Sequence, residues 1–367
     1  MKPVSETVKI TLLGDIFPGE LAFTLNYGMR SQFKNHKGEK WVEKINNICS
    51  PSDLIIGNLE SPLLDENEAK KPVFYGHPEF AEFLKKCHIN IVNIANNHIL
   101  EHGSTGFEKT VDTLLKNDLN VVGHTQNEKP HIVYKTIGRT KIAIAGFSNV
   151  DLHKMNHQKH FAVLSDESVF DTLNRMQDNK ADVKILCFHW GNEYIHLPAL
   201  SQRYAAYKYI DAGASIIAGH HPHVVQAYEK YKNGHIFYSL GNFMFDYTQS
   251  HKVSTGMVAQ ISIEDNCIVN CRLKGVKLSY KNTVTPMVPE KFDFFYNKIH
   301  RQYETMKSKT DKQYQNYYHK KLKYNHTRER ILMKLSLFST FFRLSFKNKA
   351  RLMLNVFNFY KNKMTSR

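Results

Sequence analysis

The segment 214-ASIIAGHHPHVVQ-226 joins a continuous apolar run to three histidines within four positions. An apolar run without polar alternation is typical of a strand covered on both faces, as in a parallel α/β sheet. Because neutral imidazole is a common ligand for zinc, manganese and iron, the histidines indicate either a polar turn or a metal site. Pro222 is expected to bias His221 toward extended backbone, to hold His221 and His223 toward one point, and to leave His220 directed away.

The rest of residues 1–290 repeats this alternation of strands and helices. Apolar runs predict further strands in VKITLLGD (8–15), DLIIGNLE (53–60), INIVNIANNH (89–98), LNVVGH (119–124), TKIAIAGFS (140–148) and VKILCFHWG (183–191). Helical spacing appears in GFEKTVDTLLKNDL (106–119) and SQRYAAYKYIDAG (201–213). Antiparallel closing strands are predicted in HIFYSLGNFMF (235–245), VSTGMVAQISIED (253–265) and CIVNCRLKGVKLSY (267–280). The pattern as a whole predicts an α/β fold.

Polar residues follow small residues where these strands end. The carboxyl ends of strands are where α/β sheets build their sites. The candidate metal ligands collected there are Asp15, Glu60, Asn97, His189, His221 and His223. Two carboxylates, one amide and three imidazoles suit a pair of divalent ions such as Mn, Fe or Zn, with positions left for water and substrate. His98, beside the amide, is the expected acid that protonates a leaving oxygen.

Charge divides the chain into two predicted parts. The 367 residues carry a formal net charge of +16, with 42% hydrophobic and 23% charged residues, a balance typical of a globular protein with a full-sized core. Residues 291–367 hold 19 Lys and Arg against 4 Asp and Glu, whereas residues 1–290 hold 31 against 30. We therefore predict one large domain over 1–290 and a basic, aromatic-rich helical extension over 291–367.

The extension carries apolar side chains at helical spacing among basic ones. The apolar set is Ile331, Leu335, Phe338, Phe342 and Phe346, and the basic set is Lys334, Arg343, Lys347 and Lys349. A basic amphipathic helix favours an anionic membrane surface. Packing on the core or in an oligomer is the second interpretation, and nucleic acid is the least favoured because no base-reading motif accompanies the charge.

Compartment is predicted from what the sequence does not contain. The first residues, MKPVSETVKITLLGD, show no apolar stretch of signal-peptide length, and no run approaches the roughly 20 apolar residues of a spanning helix. The five cysteines form no paired framework and are predicted to be reduced. We expect a cytoplasmic protein, peripheral at the inner membrane face if the extension binds lipid.

Six motifs, in order, carry a resemblance to a known family. They are LLGDIFPGE (12–20), GNLESPL (57–63), NIANNHILEHGSTGF (93–107), FHWGNEY (188–194), GHHPHVVQ (219–226) and YSLGNFMFD (238–246). Over about residues 8–280, the chain resembles the CapA (poly-γ-glutamate capsule synthesis) family, a branch of the calcineurin-like metallophosphoesterases. The resemblance implies a four-layer α/β/β/α sandwich with a dinuclear metal site.

The resemblance also assigns roles to the candidate ligands. Asp15 matches the first aspartate of the wider phosphoesterase pattern, and Glu60 stands where the bridging aspartate is expected. Asn97 and His98 match an Asn-His pair. His189 matches a lone histidine, and His221 with His223 matches the final pair. Three positions depart from the pattern. Phe17 replaces the histidine of Asp-x-His, and Glu60 lies two places after Asn58. Within the CapA-like pattern Asn-Asn-His-x-x-Asp-x-Gly, Glu101 stands at the aspartate position, from which it is expected to orient His98.

Two functions stay open at this level. The first is a metal-dependent hydrolase, phosphoesterase-like, that uses His98 and Glu101 on a phosphate ester or envelope polymer during capsule or exopolymer (poly-γ-glutamate or polysaccharide) synthesis. The second is a non-catalytic metal-binding assembly factor for synthesis or export of such a polymer. Residues predicted to support the ligands or contact substrate are Asn58, Asn96, His220, Glu193, Tyr194 and Asn242.

Overall fold

Two β-sheets form the centre of the protein in this computed structural model. The structure describes residues 7–22, 24–36, 38–151, 160–246, 248–279 and 284–343 and the single positions 346, 349, 350, 353 and 354. The first sheet has the order β16-β15-β14-β1-β2-β3-β4, with β13 beside β1. Its strands are β1 (Val8–Ile16), β2 (Leu54–Leu59), β3 (Ile91–Asn93), β4 (Asn120–Val122), β13 (Asn242–Met244), β14 (Thr255–Glu264), β15 (Cys267–Leu278) and β16 (Val284–Pro286).

The second sheet has the order β11-β12-β10-β9-β8-β7, and β5 and β6 form a separate short pair. These strands are β5 (Thr125–Gln126), β6 (Lys129–Pro130), β7 (Val133–Ile137), β8 (Thr140–Ser148), β9 (Val183–His189), β10 (Ile216–His220), β11 (Tyr228–Tyr231) and β12 (Gly234–Phe237). The helices are α1 (Met29–His36), α2 (Glu39–Cys49), α3 (Phe80–Lys86), α4 (Gly103–Lys116), α5 (Asp166–Asp178), α6 (Leu200–Asp211), α7 (Pro289–Lys307) and α8 (Asp311–Arg343).

The layers follow from the alternation of side chains along the strands. In β8, Ile142 and Ile144 belong to the apolar cluster between the two sheets, whereas Ala143 and Ala145 belong to the cluster that packs against α5 and α6. Successive side chains of a strand point to opposite faces, so a continuous apolar run serves both clusters. A third cluster packs α1 to α4 against the outer face of the first sheet. The four-layer α/β/β/α arrangement predicted from the resemblance is confirmed.

The polar strand ends lie in register across each sheet. In the first sheet, β1 to β4 are parallel, and Asp15 pairs with Asn58, which pairs with Asn93. In the second, β8, β9 and β10 are parallel, and His189 pairs with His220. Because parallel strands end at the same edge, the register places these polar side chains side by side, at the edge predicted for a site.

The predicted antiparallel closing strands are partly confirmed. β14 and β15 are antiparallel along their length. For 235–245 the prediction holds only for the pairing of β12 with β11, which is antiparallel, because β12 also runs parallel to β10 in the second sheet and β13 runs parallel to β1 in the first. Gly241, with φ of 67°, lies between them where the chain crosses from one sheet to the other. Its carbonyl accepts a hydrogen bond from Asp15 N at 2.9 Å.

The C-terminal helices pack against the α/β core for part of their length. Phe292 of α7 lies in the cluster between the sheets, and Tyr303, Tyr314 and Tyr318 lie in the cluster of the second sheet. Among the residues of α8 whose burial the structure describes, Glu329 is the last buried one. Residue 290 therefore marks the change of charge in the sequence, while the packed part of the chain extends about 40 residues further. The division into domains at that position stays a prediction.

Beyond Glu329, α8 presents apolar side chains that its neighbours do not cover. Ile331, Leu335, Phe338 and Phe342 are 53–67% exposed, and their spacing places them on one face of the helix. Phe346 is also exposed, whereas Lys347 lies outside the described residues. Within the described part of the chain, no helix has the length and hydropathy needed to cross a membrane.

Gly14 provides a test of how closely the two sheets are joined. A Cβ at this position would lie 2.0 Å from the Gly241 carbonyl oxygen, so Gly14→Ala should force the crossing segment away from β1. We expect a loss of about 1–3 kcal/mol in the free energy of unfolding, measured by urea denaturation. Gly57→Ala is the control, because its Cβ would meet the flexible end of Ile16, and it should cost less. Equal effects would contradict the close approach.

Candidate metal centre

Buried amides position the first carboxylate. Asp15 is fully buried at the end of β1, and its Oδ1 accepts a hydrogen bond from Asn58 Nδ2 at 2.9 Å. Asn93 donates in turn to Asn58 Oδ1 at 2.9 Å. Burial alone would raise the pKa of Asp15, but hydrogen bonds from His220 and His223 hold that pKa well below its usual value. Asp15 is therefore a fixed negative charge at the junction of the sheets.

Glu60 is the second carboxylate, and it is fully buried without the hydrogen-bond donors that a buried carboxylate usually has. Among the residues that the structure describes, neither Oε1 nor Oε2 accepts a hydrogen bond. The nearest charged or basic atoms are Nε2 of His223 at 3.6 Å and Nε2 of His189 at 3.8 Å from Oε1. Burial raises the pKa of Glu60 well above its usual value. A buried carboxylate without donors is costly unless a cation satisfies it, and this observation fits a bound metal ion.

Two histidines of the second sheet are held neutral. His189 ends β9, and its ring lies 4.8 Å from that of His221 between centroids. Burial, reinforced by His221, lowers the pKa of His189 well below its usual value, and burial lowers the pKa of His221 to about 4. His189 Nε2 lies 2.9 Å from Oδ1 of Asn97. Both rings are therefore in the neutral form that binds metal ions.

His223 links the two carboxylates. Its Nδ1 lies 3.4 Å from Asp15 Oδ2 and 3.0 Å from Asn242 Oδ1. Burial would lower its pKa, but the charges of Glu60 and Asp15 outweigh burial and raise the pKa of His223 to about 10. A divalent ion that binds here has to displace this proton, because imidazole is a ligand only when neutral.

Three overlapping groups of side chains have ligand atoms within 4.8 Å of one another. The groups are Asp15, Glu60 and His223; Glu60, His189 and His221; and Glu193, His221 and His223. Each shares at least one member with another, so together they form one cluster, which we call the strand-end cluster. Carboxylate and imidazole are the donors that first-row divalent ions prefer. The cluster is therefore a candidate metal centre.

The backbone around His221 differs from the sequence-based expectation. His221 has φ of 94° and His223 has φ of 55°, both in the left-handed region that non-glycine residues rarely adopt. The prediction that Pro222 keeps His221 extended is wrong, because the chain turns sharply after β10 and brings the His221 backbone N–H and the His223 ring to Asp15. The prediction that His220 is directed away from the other two histidines is also wrong, because its Nδ1 lies 3.3 Å from Asp15 Oδ1. Such strained backbone is common at functional sites.

His98 lies beside the strand-end cluster, and Glu101 orients its ring from the side that faces away from the cluster. Its Nε2 is 3.9 Å from Glu60 Oε1, and its Nδ1 is 2.9 Å from Glu101 Oε1. Glu101 also pairs with Lys71, and although burial raises its pKa, the hydrogen bond with His98 lowers that pKa to about 2. Phe74 stacks on the imidazole with centroids 4.5 Å apart. Glu101 is thus ionised and fixes the ring with Nε2 toward the cluster.

The other predicted residues lie around the cluster in supporting positions. Asn96 donates to Leu59 O at 2.8 Å and accepts from the His98 backbone N–H. Glu193 Oε1 lies 4.0 Å from His223 Nε2, which makes it a candidate ligand as well as a substrate contact. The Tyr194 ring lies 6.4 Å from that of His223. The roles of all these residues stay predictions.

Sequence reasoning missed three residues that touch this site. Asn93 was recognisable, because a buried amide inside an apolar strand requires a hydrogen-bond partner. Lys71 and Phe74 lie in the segment between β2 and α3, which has no motif or periodicity. Their contacts with Glu101 and His98 span about 25–30 residues of sequence, and only the folded chain reveals them.

Fold and cluster together define a two-sheet α/β protein with a candidate metal centre at the carboxyl ends of both sheets. The family described as "Bacterial capsule synthesis protein PGA_cap" matches residues 9–247, and this chain belongs to that family. The predicted relationship to CapA proteins is confirmed.

This chain is similar to two capsule proteins and to one solved structure as follows. Capsule biosynthesis protein CapA of Bacillus anthracis is 30% identical over 277 residues, covering 71% of this chain and 65% of that protein. PGA biosynthesis protein CapA of Bacillus subtilis (strain 168) is 34% identical over 208 residues, covering 54% and 55%. The chain thus spans less than two thirds of the length of either relative. A crystal structure of the calcineurin-like phosphoesterase YfkN from Bacillus subtilis aligns with a TM-score of 0.45 at 14% identity, covering 81% of this chain and 98% of that one.

Removal of His223 tests the strand-end cluster. Because His223 belongs to two of the three ligand groups, His223→Ala should weaken binding of a divalent ion by more than about tenfold, as loss of metal-site contacts commonly does. Metal content is measured by elemental analysis after dialysis. His235→Ala is the control, because His235 is buried and bonded to Tyr228 outside the cluster. Full metal content in His223→Ala, with an intact fold by circular dichroism, would remove His223 from the ligand set.

Proposed function

We propose that this chain is a metal-dependent hydrolase of the phosphoesterase type that acts in the synthesis of a capsule polymer or exopolymer, such as poly-γ-glutamate or a polysaccharide. The observation that carries the proposal is the buried Glu60 carboxylate, which has no hydrogen-bond donor in the described structure and faces the histidines of the second sheet. The names of the relatives, a capsule biosynthesis protein and a PGA biosynthesis protein, support the polymer.

Two divalent ions, of Mn, Fe or Zn, would be held by the strand-end cluster together with Asn97. When bound, they would polarise the scissile bond and supply an activated water at neutral pH. Asp15 and Glu60 bring the negative charge that balances the ions, and His189, His221 and His223 bring affinity and geometry. Asn58 and Asn242 hold Asp15 and His223 in place by the hydrogen bonds described above, so that the ligands are positioned before substrate binds.

His98 is the proposed general acid. Its Nε2 points into the cluster, close enough to Glu60 that a substrate oxygen beside the ions would come within reach of it. Glu101 at Nδ1 holds the ring so that Nε2, which also contacts the Asn97 amide at 3.2 Å, is the atom that would deliver a proton to the leaving oxygen. The stacked Phe74 limits water on one face of the ring.

One observation favours a non-catalytic alternative, a metal-binding assembly factor for polymer synthesis or export. Phe17 stands where the wider phosphoesterase pattern has a histidine, and it is buried in an aromatic cluster, stacked on Phe245 at 4.7 Å. An apolar ring cannot ligate a metal ion or donate to an oxyanion. Under this alternative the protein binds metal and polymer without turnover.

His98→Asn separates the two functions. The variant should keep its metal ions and slow hydrolysis of a phosphodiester with a poor leaving group by about 10²–10⁴-fold, as expected for loss of a general acid. His131→Asn is the control, because His131 lies outside the cluster and pairs with Gln126. Unchanged turnover would remove the acid role from His98. A metal-loaded wild type that hydrolyses neither phosphomonoesters nor phosphodiesters would favour the assembly factor.

We propose a second role for the distal half of α8, residues 330–343, as a contact with an anionic membrane surface. Its face of Ile331, Leu335, Phe338 and Phe342 is exposed, as described above. From Arg330 to the end of the sequence there are nine Lys and Arg and no Asp or Glu. Exposed aromatic side chains among cations match a lipid headgroup region, where each Lys or Arg near the surface adds about 1 kcal/mol.

Phe338→Ser/Phe342→Ser should reduce sedimentation with vesicles that contain anionic lipid, because the double substitution removes the apolar part of the contact. Rising salt should release the wild type only partly, since screening acts within about 8 Å at physiological ionic strength while apolar burial persists. Phe294→Ser is the control, because Phe294 is an exposed residue of α7. Failure of the wild type to bind such vesicles at low salt would contradict the membrane role. If the wild type binds a nucleic acid instead, nucleic-acid binding would replace membrane binding as the role of this segment.

A further inference from the structure

A cavity of about 550 Å³ opens at the edge of the first sheet, outside the strand-end cluster. β16 pairs with β15 only along Val276–Leu278, so the preceding part of β15, from Arg272 to Lys274, has no strand on that side among the described residues. The C-terminal end of α2 and the first turn of α7 flank this open edge. None of the residues that line the cavity belongs to the strand-end cluster.

The apolar part of the lining comes from several elements. Ile48 of α2 and Phe292 of α7 are buried, and Leu273 of β15 and Met287 after β16 are half-buried. Phe292 lies directly on Gly275, where a Cβ would come within 2.3 Å of the ring, so the missing side chain at that position makes room for the ring. Concave sites of about 300–1,000 Å³ with mostly apolar walls and a few polar groups are typical of small-molecule binding.

Three cations line the same cavity without a carboxylate partner. They are Lys44, Arg272 and Lys274, and none of them forms an ion pair with another described residue. Arg272 and Lys274 are two positions apart on β15, so their side chains leave the same face of the strand. Asp293 is the only carboxylate among the described lining residues, which leaves three positive side chains against one negative.

Lys274 is the least solvated of the three cations. It is half-buried, and its Nζ donates to Ile48 O at the end of α2 at 3.3 Å. Burial, reinforced by the charge of Arg272, lowers the pKa of Lys274, whereas Cys49 raises it. An ammonium group that is partly removed from water without a counter-charge is destabilised, so an oxyanion in the cavity would stabilise it.

We propose that this cavity binds an amphipathic anion, a molecule with an acyl or aryl body and a single carboxylate or phosphate head. The body would pack against Ile48, Met287 and Phe292, and the head would pair with Arg272 and Lys274. Arg offers a planar fork to either oxyanion and Lys a compact charge. A polyanion would leave the apolar lining unused. The proposal does not depend on the proposed hydrolase, because the two sites share no residue.

Fluorescence titration of the full chain with three matched probes tests the proposal. The probes are a dansyl-labelled undecanoic acid, the corresponding alkyl phosphate and the methyl ester of the acid, each below its micelle concentration. The test variant is Arg272→Gln/Lys274→Gln. The control is Lys40→Gln/Arg139→Gln, which removes two exposed charges that do not line the cavity.

Wild type should bind at least one anionic probe about tenfold more tightly than the ester, because only the anion pairs with the cations. The test variant should bind that probe about tenfold more weakly and lose the preference over the ester, whereas the control stays within about twofold. The probe that shows this difference identifies the head as carboxylate or phosphate.

Met287→Gln tests the apolar part of the site with little change in side-chain volume. The backbone hydrogen bond from Met287 N to Gly275 O, at 2.8 Å, does not involve the side chain and should persist. This variant should weaken binding of the acid and the ester by a similar factor of about three to ten, because it makes the wall that contacts the body polar. Unchanged binding of both probes by Met287→Gln would contradict the site.

The exposed face of α8 also offers apolar side chains among cations, so Phe338→Ser/Phe342→Ser is titrated in parallel. Unchanged binding of the anionic probe by this variant supports the cavity. Loss of binding in this variant, with full binding by Arg272→Gln/Lys274→Gln, would overturn the proposal. Equal affinity of wild type for acid, phosphate and ester, equal losses in the test and control variants, or no binding of any probe would also overturn it.

Discussion

The two sheets meet at a pair of fully buried carboxylates, Asp15 and Glu60, and the surrounding structure compensates for their burial. Asp15 is stabilised by an amide from the neighbouring strand and by histidines from the opposite sheet. Glu60 receives no such donor among the described residues. A buried carboxylate without hydrogen-bond donors is costly, and the carboxylates and imidazoles around Glu60 are donors that fit a divalent ion, which would displace the proton of His223.

The sequence predicted the residues of this centre because their positions follow from a simple rule. Asp15, Glu60 and His189 each end or follow an apolar strand, and parallel strands bring their carboxyl ends to one edge. Local pattern could not predict the conformation of His221, because a residue before proline prefers extended backbone and only the packed site imposes a positive φ. Local pattern also could not predict that the chain crosses between the sheets at Gly241, because the pairing of β12 and β13 depends on strands distant in sequence.

The C-terminal extension shows why composition alone gives an incomplete description. Residues 291–367 are rich in basic and aromatic residues, and the sequence alone leaves three interpretations of them open. The structure separates two parts of α8: Tyr314 and Tyr318 are buried against the second sheet, whereas Phe338 and Phe342 are exposed. The proximal part is bound to the core, and the distal part extends from it.

The central claim is that the strand-end cluster binds divalent metal. Anomalous diffraction from crystals grown with Mn²⁺ tests it most directly, because the signal locates the ion independently of activity. The account predicts at least one anomalous peak at about 2.0–2.2 Å from a Glu60 oxygen and from ring nitrogens of His223 or His189, the distances usual for such ligands. Crystals that show no peak in the cluster, with Glu60 instead hydrogen-bonded to protein or water, would contradict it.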